Sequence, residues 1–230
     1  MVSRAPEAIG GWPLLTLGQR RNHYSFQSVG LMTWKPPELD RTGRESVPLR
    51  RRRLDMALIG FFTFNFVFVS NMIDLECILI KDTSNFKYPV WPPEPVVRLI
   101  HWYGRSYDPL LMARPPFWMV TMFFDVYVFG PFYAIAIYAF IRGRDWIRLP
   151  AIVWATMMFT IVCIILNEEA FGKYRTDHLP LVIGANLSWL IFPILVVWRV
   201  GGSAHPFTVP VAAVESVLAT DEQPVASDQS

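Results

Sequence analysis

The chain is short of charge. Asp, Glu, Lys and Arg make up 17% of its 230 residues, where a soluble domain carries roughly a quarter. Cysteine is scarce as well. Cys77 and Cys163 are too few for a disulfide framework, and both sit in apolar runs, where they read as small buried apolar residues. The four histidines, His23, His101, His178 and His205, lie outside those runs, which removes the usual ligands of an intramembrane metal or haem. There is no Gly-rich phosphate loop, zinc-ligand cluster or nucleophile elbow. Neither a cofactor nor a metal is expected. A net charge of +2 is too small to argue for a nucleic-acid partner.

Apolar residues are what is abundant, at 53%, with 15% aromatic. Hydrophobic runs near 56–80, 116–141, 149–167 and 179–198 are each about as long as a membrane span. The expected fold class is all-α: a four-span transmembrane helix bundle over 54–200. A disordered basic arm over 1–53 and a disordered tail over 201–230 flank it. The run Trp12-Pro13-Leu14-Leu15 is too brief for a signal-peptide core. Arginines cluster at Arg50 to Arg53 and again at Arg142, Arg144 and Arg148. Both clusters fall on one side of the membrane, so the positive-inside rule places both termini in the cytosol. A kink is expected at Gly130-Pro131, where proline removes a backbone hydrogen bond.

The spans carry few polar residues, so each one needs a reason. A carboxyl group within a span is costly and marks a candidate site. Counting ~1.5 Å per residue from the non-cytosolic face puts Asp74 at ~9 Å, Asp125 at ~13 Å and Asn186 at ~10 Å. Three spans therefore hold polar groups at similar depth. Ser70 shares a helix face with Asp74, and Trp189 shares one with Asn186. These residues define an expected apolar pocket in the non-cytosolic half of the bundle, lined by Phe66, Phe124, Tyr127, Phe129 and Trp189. Two carboxyls side by side there cannot both ionise, so one keeps its proton and binds the other. Asp108, followed by Pro109, suits a helix N-cap. Glu76 reads as snorkelling to the interface, and Trp118, Trp146 and Trp198 as interface anchors. A water-lined ion pathway does not fit, because the cytosolic halves of the spans are nearly all apolar.

Four motifs carry a resemblance: Asp108-Pro109-Leu110-Leu111, Pro115-Pro116-Phe117-Trp118, Pro131-Phe132 with Tyr138-Ala139-Phe140, and Trp146-Ile147-Arg148-Leu149-Pro150-Ala151-Ile152. The chain resembles the EXPERA family, which joins sigma-2 receptors and emopamil-binding sterol isomerases, and it is most similar to the receptor branch. The resemblance covers about Asp55 to Arg199. It implies a bundle in the endoplasmic reticulum membrane, often dimeric, with a pocket for sterols and cationic amphiphiles. Asp74 and Asp125 match the receptor's ligand-pairing acid and its supporting acid, the second being Asp where the receptor has Glu. Asp108 matches an acid of the same motif. Asn186, Trp189 and Pro193 match an isomerase pattern, Asn-x-x-Trp-x-x-x-Pro. Isomerases carry His one turn before the first acid, where this chain has Ser70. Their second-span Glu falls near Met122, one turn before Asp125.

The sequence thus points to a protein that binds sterols or related amphiphiles and acts in lipid homeostasis. Its site would comprise Asp74, Asp125, Asn186, Trp189, Ser70 and Asp108. The alternative is a sterol or terpenoid double-bond isomerase with Asp74 and Asp125 as its catalytic pair.

Overall fold

The computed structural model describes residues 43–211. Most of the expected arm, including Trp12 to Leu15, and most of the expected tail lie outside this range. Within it the protein is an all-α bundle of four helices long and apolar enough to cross a membrane. These are α1 (Arg53–Leu79), α4 (Pro116–Arg142), α5 (Arg148–Phe171) and α6 (Leu179–Gly201). The connector between α1 and α4 holds α2 (Glu94–Tyr107) and α3 (Pro109–Ala113). α2 is amphipathic: Val97 and Ile100 face inward, while Leu99 and Trp102 are exposed.

The first and second spans are not uniform α-helix. α1 is wound as π-helix over Asn65–Asp74, and α4 over Asp125–Phe129. In α4 the wide turn ends directly before Gly130-Pro131. Proline cannot donate to the carbonyl four residues earlier and crowds it, and an i→i+5 winding accommodates both effects. The expected break at this proline is therefore a change of winding. π turns are uncommon and concentrate at functional positions. Here both candidate acids lie within them.

The core is aromatic. Phe62 packs edge-on against Phe140 and Trp154, with ring centroids 5.5 and 5.3 Å apart, and Phe132 stacks on Trp154 at 5.5 Å. This joins α1, α4 and α5, while α6 packs along α5. Trp146 and Trp198 are exposed at the arginine-rich end, as interface anchors are.

That end is tied by a buried charge cluster. Asp55 accepts from Arg52 at 2.6 Å and from Arg199 at 2.6 and 2.9 Å. Both guanidinium groups lie over the ring of Phe207, 5.3 and 4.8 Å from its centroid. Beside this cluster, β1 (Arg44–Ser46) pairs antiparallel with β2 (Thr208–Pro210). Residues 44–52 and 203–210, assigned above to arm and tail, are thus ordered against the bundle. Their order comes from burial of Phe207 and from hydrogen bonds of Phe207 N (2.8 Å) and Thr208 Oγ1 (2.5 Å) to Asp145. Local composition carries no trace of such long-range contacts.

Candidate functional site

A cavity of about 400 Å³ opens between α1, α2, α4, α5 and α6, toward the connector end. Asp74, Asp108, Asp125, Asn186 and Trp189 all line it. The rest of the wall is largely apolar, with Phe129, Met158 and Ile161 among its residues. Asp74 and Asp125, 5% and 6% exposed, are hydrogen-bonded to each other. Asp125 accepts two further bonds, one from Ser70 Oγ and one from Tyr133 OH at 3.3 Å. Ser70 does not line the cavity; it holds Asp125 from behind. The side chains of the second acid are thus anchored, and Asp74 has fewer competing partners.

Asn186 donates to its own helix, at Val182 O (2.9 Å), which turns its amide along the cavity wall. Trp189 Nε1 donates to Asn65 Oδ1 at 2.7 Å, and Asn65 Nδ2 donates to Phe61 O at 2.8 Å. Asn65 is fully buried and was missed in the sequence reading. An asparagine deep in an apolar run is itself a signal for a cross-helix bond. Replacing Asn65 with Leu leaves the indole N–H without an acceptor and should cost about 1–3 kcal/mol. Once Trp189→Phe has removed the donor, the same replacement should cost clearly less. Thermal unfolding of the single and double variants in detergent measures this coupling, and additive losses would rule it out.

Several expectations need correction. Glu76 does not snorkel; it is fully buried and points away from the cavity. It accepts from Arg114 Nη2 at 2.8 and 3.0 Å and bonds His101 Nε2 at 2.8 Å. Arg114 also donates to the carbonyls of Cys77 and Ile80, the orphan acceptors at the end of α1. An arginine just before a span on the side away from the basic clusters breaks the positive-inside pattern, and that was the available clue to a buried partner. Trp118 is 5% exposed and lines the cavity rather than the interface. Phe66 packs in the aromatic core, while Phe124 and Tyr127 are exposed on the outer face; only Phe129 and Trp189 of the expected aromatic wall line the cavity. The inward residues of α4, Trp118, Met122, Asp125 and Phe129, repeat at three- and four-residue spacing, which leaves Phe124 and Tyr127 on the outer face. Cys77 is buried, but Cys163 is exposed on the outer surface; both are free.

Asp108 caps α3, accepting from Leu111 N at 2.9 Å. Its side chain is also hydrogen-bonded to Glu169, near the end of α5. Burial pushes its pKa up against the opposing pull of the backbone N–H bonds. Among the described residues no group of three or more His, Cys, Asp or Glu side chains is arranged to hold a metal ion.

A four-span membrane bundle enclosing an apolar cavity with paired acids defines the class of protein. The EXPERA (EXPanded EBP superfamily) model matches residues 95–200. Sigma intracellular receptor 2 of Macaca fascicularis is 32% identical over 130 residues, 56% of this chain and 69% of that protein. The Homo sapiens protein of the same name is 31% identical over 129 residues, 55% of this chain and 68% of that protein. The Xenopus tropicalis one is 30% identical over 116 residues, 50% of this chain and 63% of that protein. The chain belongs to the EXPERA family and is a multi-pass membrane protein.

Proposed function

We propose that the protein binds sterols, related lipids or cationic amphiphiles in this cavity, and acts in sterol or lipid homeostasis in the endoplasmic reticulum membrane with both termini in the cytosol. The carrying observation is the pair of hydrogen-bonded carboxyls, Asp74 and Asp125, buried in a largely apolar cavity. A pair in hydrogen-bond contact shares one proton and holds one negative charge. That arrangement suits an ammonium, which takes the charge, and a hydroxyl, which finds an acceptor. Asn186 and Trp189 supply a flat, partly polar wall against which a fused-ring skeleton can lie.

One observation favours a second reading. Asn186 and Trp189 share the cavity with the acids, so a double-bond isomerase has its parts: the protonated carboxyl gives its proton to an alkene carbon, the carboxylate and the indole face stabilise the cation, and a carboxylate removes a proton from the neighbouring carbon. Ser70 opposes this. It stands where the isomerase pattern has an imidazole, and a hydroxyl is a poor proton donor near neutral pH.

Expression in yeast lacking its own sterol isomerase separates the two. Sterol profiles should stay unshifted while membranes gain saturable binding of a labelled amino-steroid. Restored isomerised sterol would overturn the binding-only reading. Protease added to intact microsomes from these cells should remove tags from both ends, and protection of either tag would contradict the topology.

A further inference from the structure

A second hollow, of about 600 Å³, lies at the arginine-rich end, where α4 turns into α5. The turn supplies Arg142, Arg144 and Trp146 to its wall, and the two short strands supply Arg44, Ser46 and Thr208. The geometry of the turn is fixed. Gly143 takes a left-handed backbone (φ 62°), and Arg144 N donates to Ala139 O at 2.9 Å. A Cβ at Gly143 would come within 3.1 Å of Ser46 Cβ, so glycine is what lets β1 approach the turn this closely. Arg44 is held from the strand side: its Nε donates to Thr208 Oγ1 and its Nη2 to Thr208 O, each at 2.9 Å. Those are two of its five N–H groups. The carboxylate of Asp145 also lines the hollow, but it is engaged by Phe207 N, Thr208 Oγ1 and His205 Nδ1. Three guanidinium groups thus outweigh it, and a concave wall focuses their field.

The position of the hollow narrows the ligand. α4 ends at Arg142, and Trp146, 54% exposed, marks the interface beside it. Below the rim, Ile141, Tyr138 and Ile135 are exposed at three-residue spacing and form a stripe that runs down α4 into the membrane. A cationic hollow at the interface above a lipid-facing apolar stripe has the outline of a phospholipid, headgroup above and acyl chain below. The net positive charge disfavours a zwitterionic headgroup, whose ammonium would meet the arginines. A phosphate monoester, with close to two charges and three acceptor oxygens, complements arginine forks.

We propose that this hollow binds an anionic phospholipid whose headgroup carries a phosphate monoester. The phosphate meets Arg44, Arg142 and Arg144, and an acyl chain lies along Ile141, Tyr138 and Ile135. The site is independent of the acid-lined cavity, which opens toward the connector end.

The test measures binding of labelled phosphatidylinositol monophosphate to the full chain in phosphatidylcholine nanodiscs. Binding should be saturable, and unlabelled phosphatidylinositol, which lacks the monoester, should compete at least about tenfold less well, the effect of one charge-assisted hydrogen bond. Arg142→Gln with Arg144→Gln should weaken binding about a hundredfold. Arg50→Gln with Arg51→Gln removes the same charge from outside the hollow and should weaken it several-fold at most. Ser46→Glu, which keeps every arginine and adds a carboxylate at the wall, should weaken binding about tenfold and keeps the test decisive if the double arginine variant fails to fold. Equal losses in the two double variants, or full affinity in Ser46→Glu, would overturn the site. Equal competition by phosphatidylinositol would overturn the monoester. Soluble inositol phosphate displacing the probe as well as the unlabelled lipid does would show a site for free phosphates and overturn the lipid assignment.

Discussion

Asp74→Asn should lower the affinity for a cationic amphiphile by at least about a hundredfold. The argument is electrostatic. An ammonium drawn from water into an apolar cavity loses its hydration, and only a buried opposite charge with good geometry offsets that loss. Truncating one partner of such a pair typically costs 2–5 kcal/mol, or roughly two to three powers of ten. Asp125→Asn should be milder, about tenfold. Its amide can still donate to Asp74, as a protonated carboxyl does, and its single oxygen can still accept from Ser70 or Tyr133, which bond different oxygens of the acid. Asp125→Leu should be worse than Asp125→Asn, because it leaves Ser70 and Tyr133 unpaired as well. Competition binding with a labelled amine on membranes ranks the three. If both asparagine variants keep full affinity, the paired acids are not the binding site.

The second large effect lies away from the cavity. Arg114→Met should destabilise the protein by about 3–5 kcal/mol, the cost of leaving a buried charge without its partner. Glu76 would then keep only His101 and the Cys77 thiol, and the carbonyls of Cys77 and Ile80 would lose a donor. Glu76→Leu should be comparably damaging. The double variant, Glu76→Leu with Arg114→Met, should regain much of the loss, since a buried ion pair exchanged for apolar residues of similar volume is often nearly neutral. Arg114 also takes a left-handed backbone (φ 47°), unusual for a residue with a side chain, and this turn joins α3 to α4. Glu76 is two residues from Asp74, so loosening this end of α1 should reduce the number of binding-competent molecules more than their affinity. Thermal unfolding in detergent together with saturation binding separates the two effects. An Arg114→Met protein as stable as the wild type would show that the cluster does not hold the connector.

Much of the site was legible before the fold, for one physical reason. Helix rise is nearly constant, so depth in the membrane follows from counting residues, and Asp74, Asp125, Asn186 and Trp189 share a cavity as their depths suggest. Facing was less legible than depth. It depends on which face of each helix meets the cavity, and on α4 that face carries Met122 and Phe129 with Asp125, at three- and four-residue spacing. Phe124 and Tyr127, one and two residues from Asp125, fall on other faces of the helix, and Ser70 turns to Asp125 instead of the cavity. The charge of Glu76 was misread because partners distant in sequence decide burial at the span ends. Glu76 needs Arg114, and Asp55 needs both Arg52 and Arg199. Asn65 was overlooked because its partner, Trp189, lies in another span.

The most direct test of the cavity's role is photolabelling with an amino-steroid that carries a light-activated group on its apolar body, followed by peptide mapping. The label should fall on residues that line the cavity, such as Phe129, Met158 and Trp189. It should be displaced by unlabelled ligand and lost in Asp74→Asn. Labelling confined to outward-facing residues such as Tyr127 and Ile164, unchanged by competitor and by Asp74→Asn, would contradict the account.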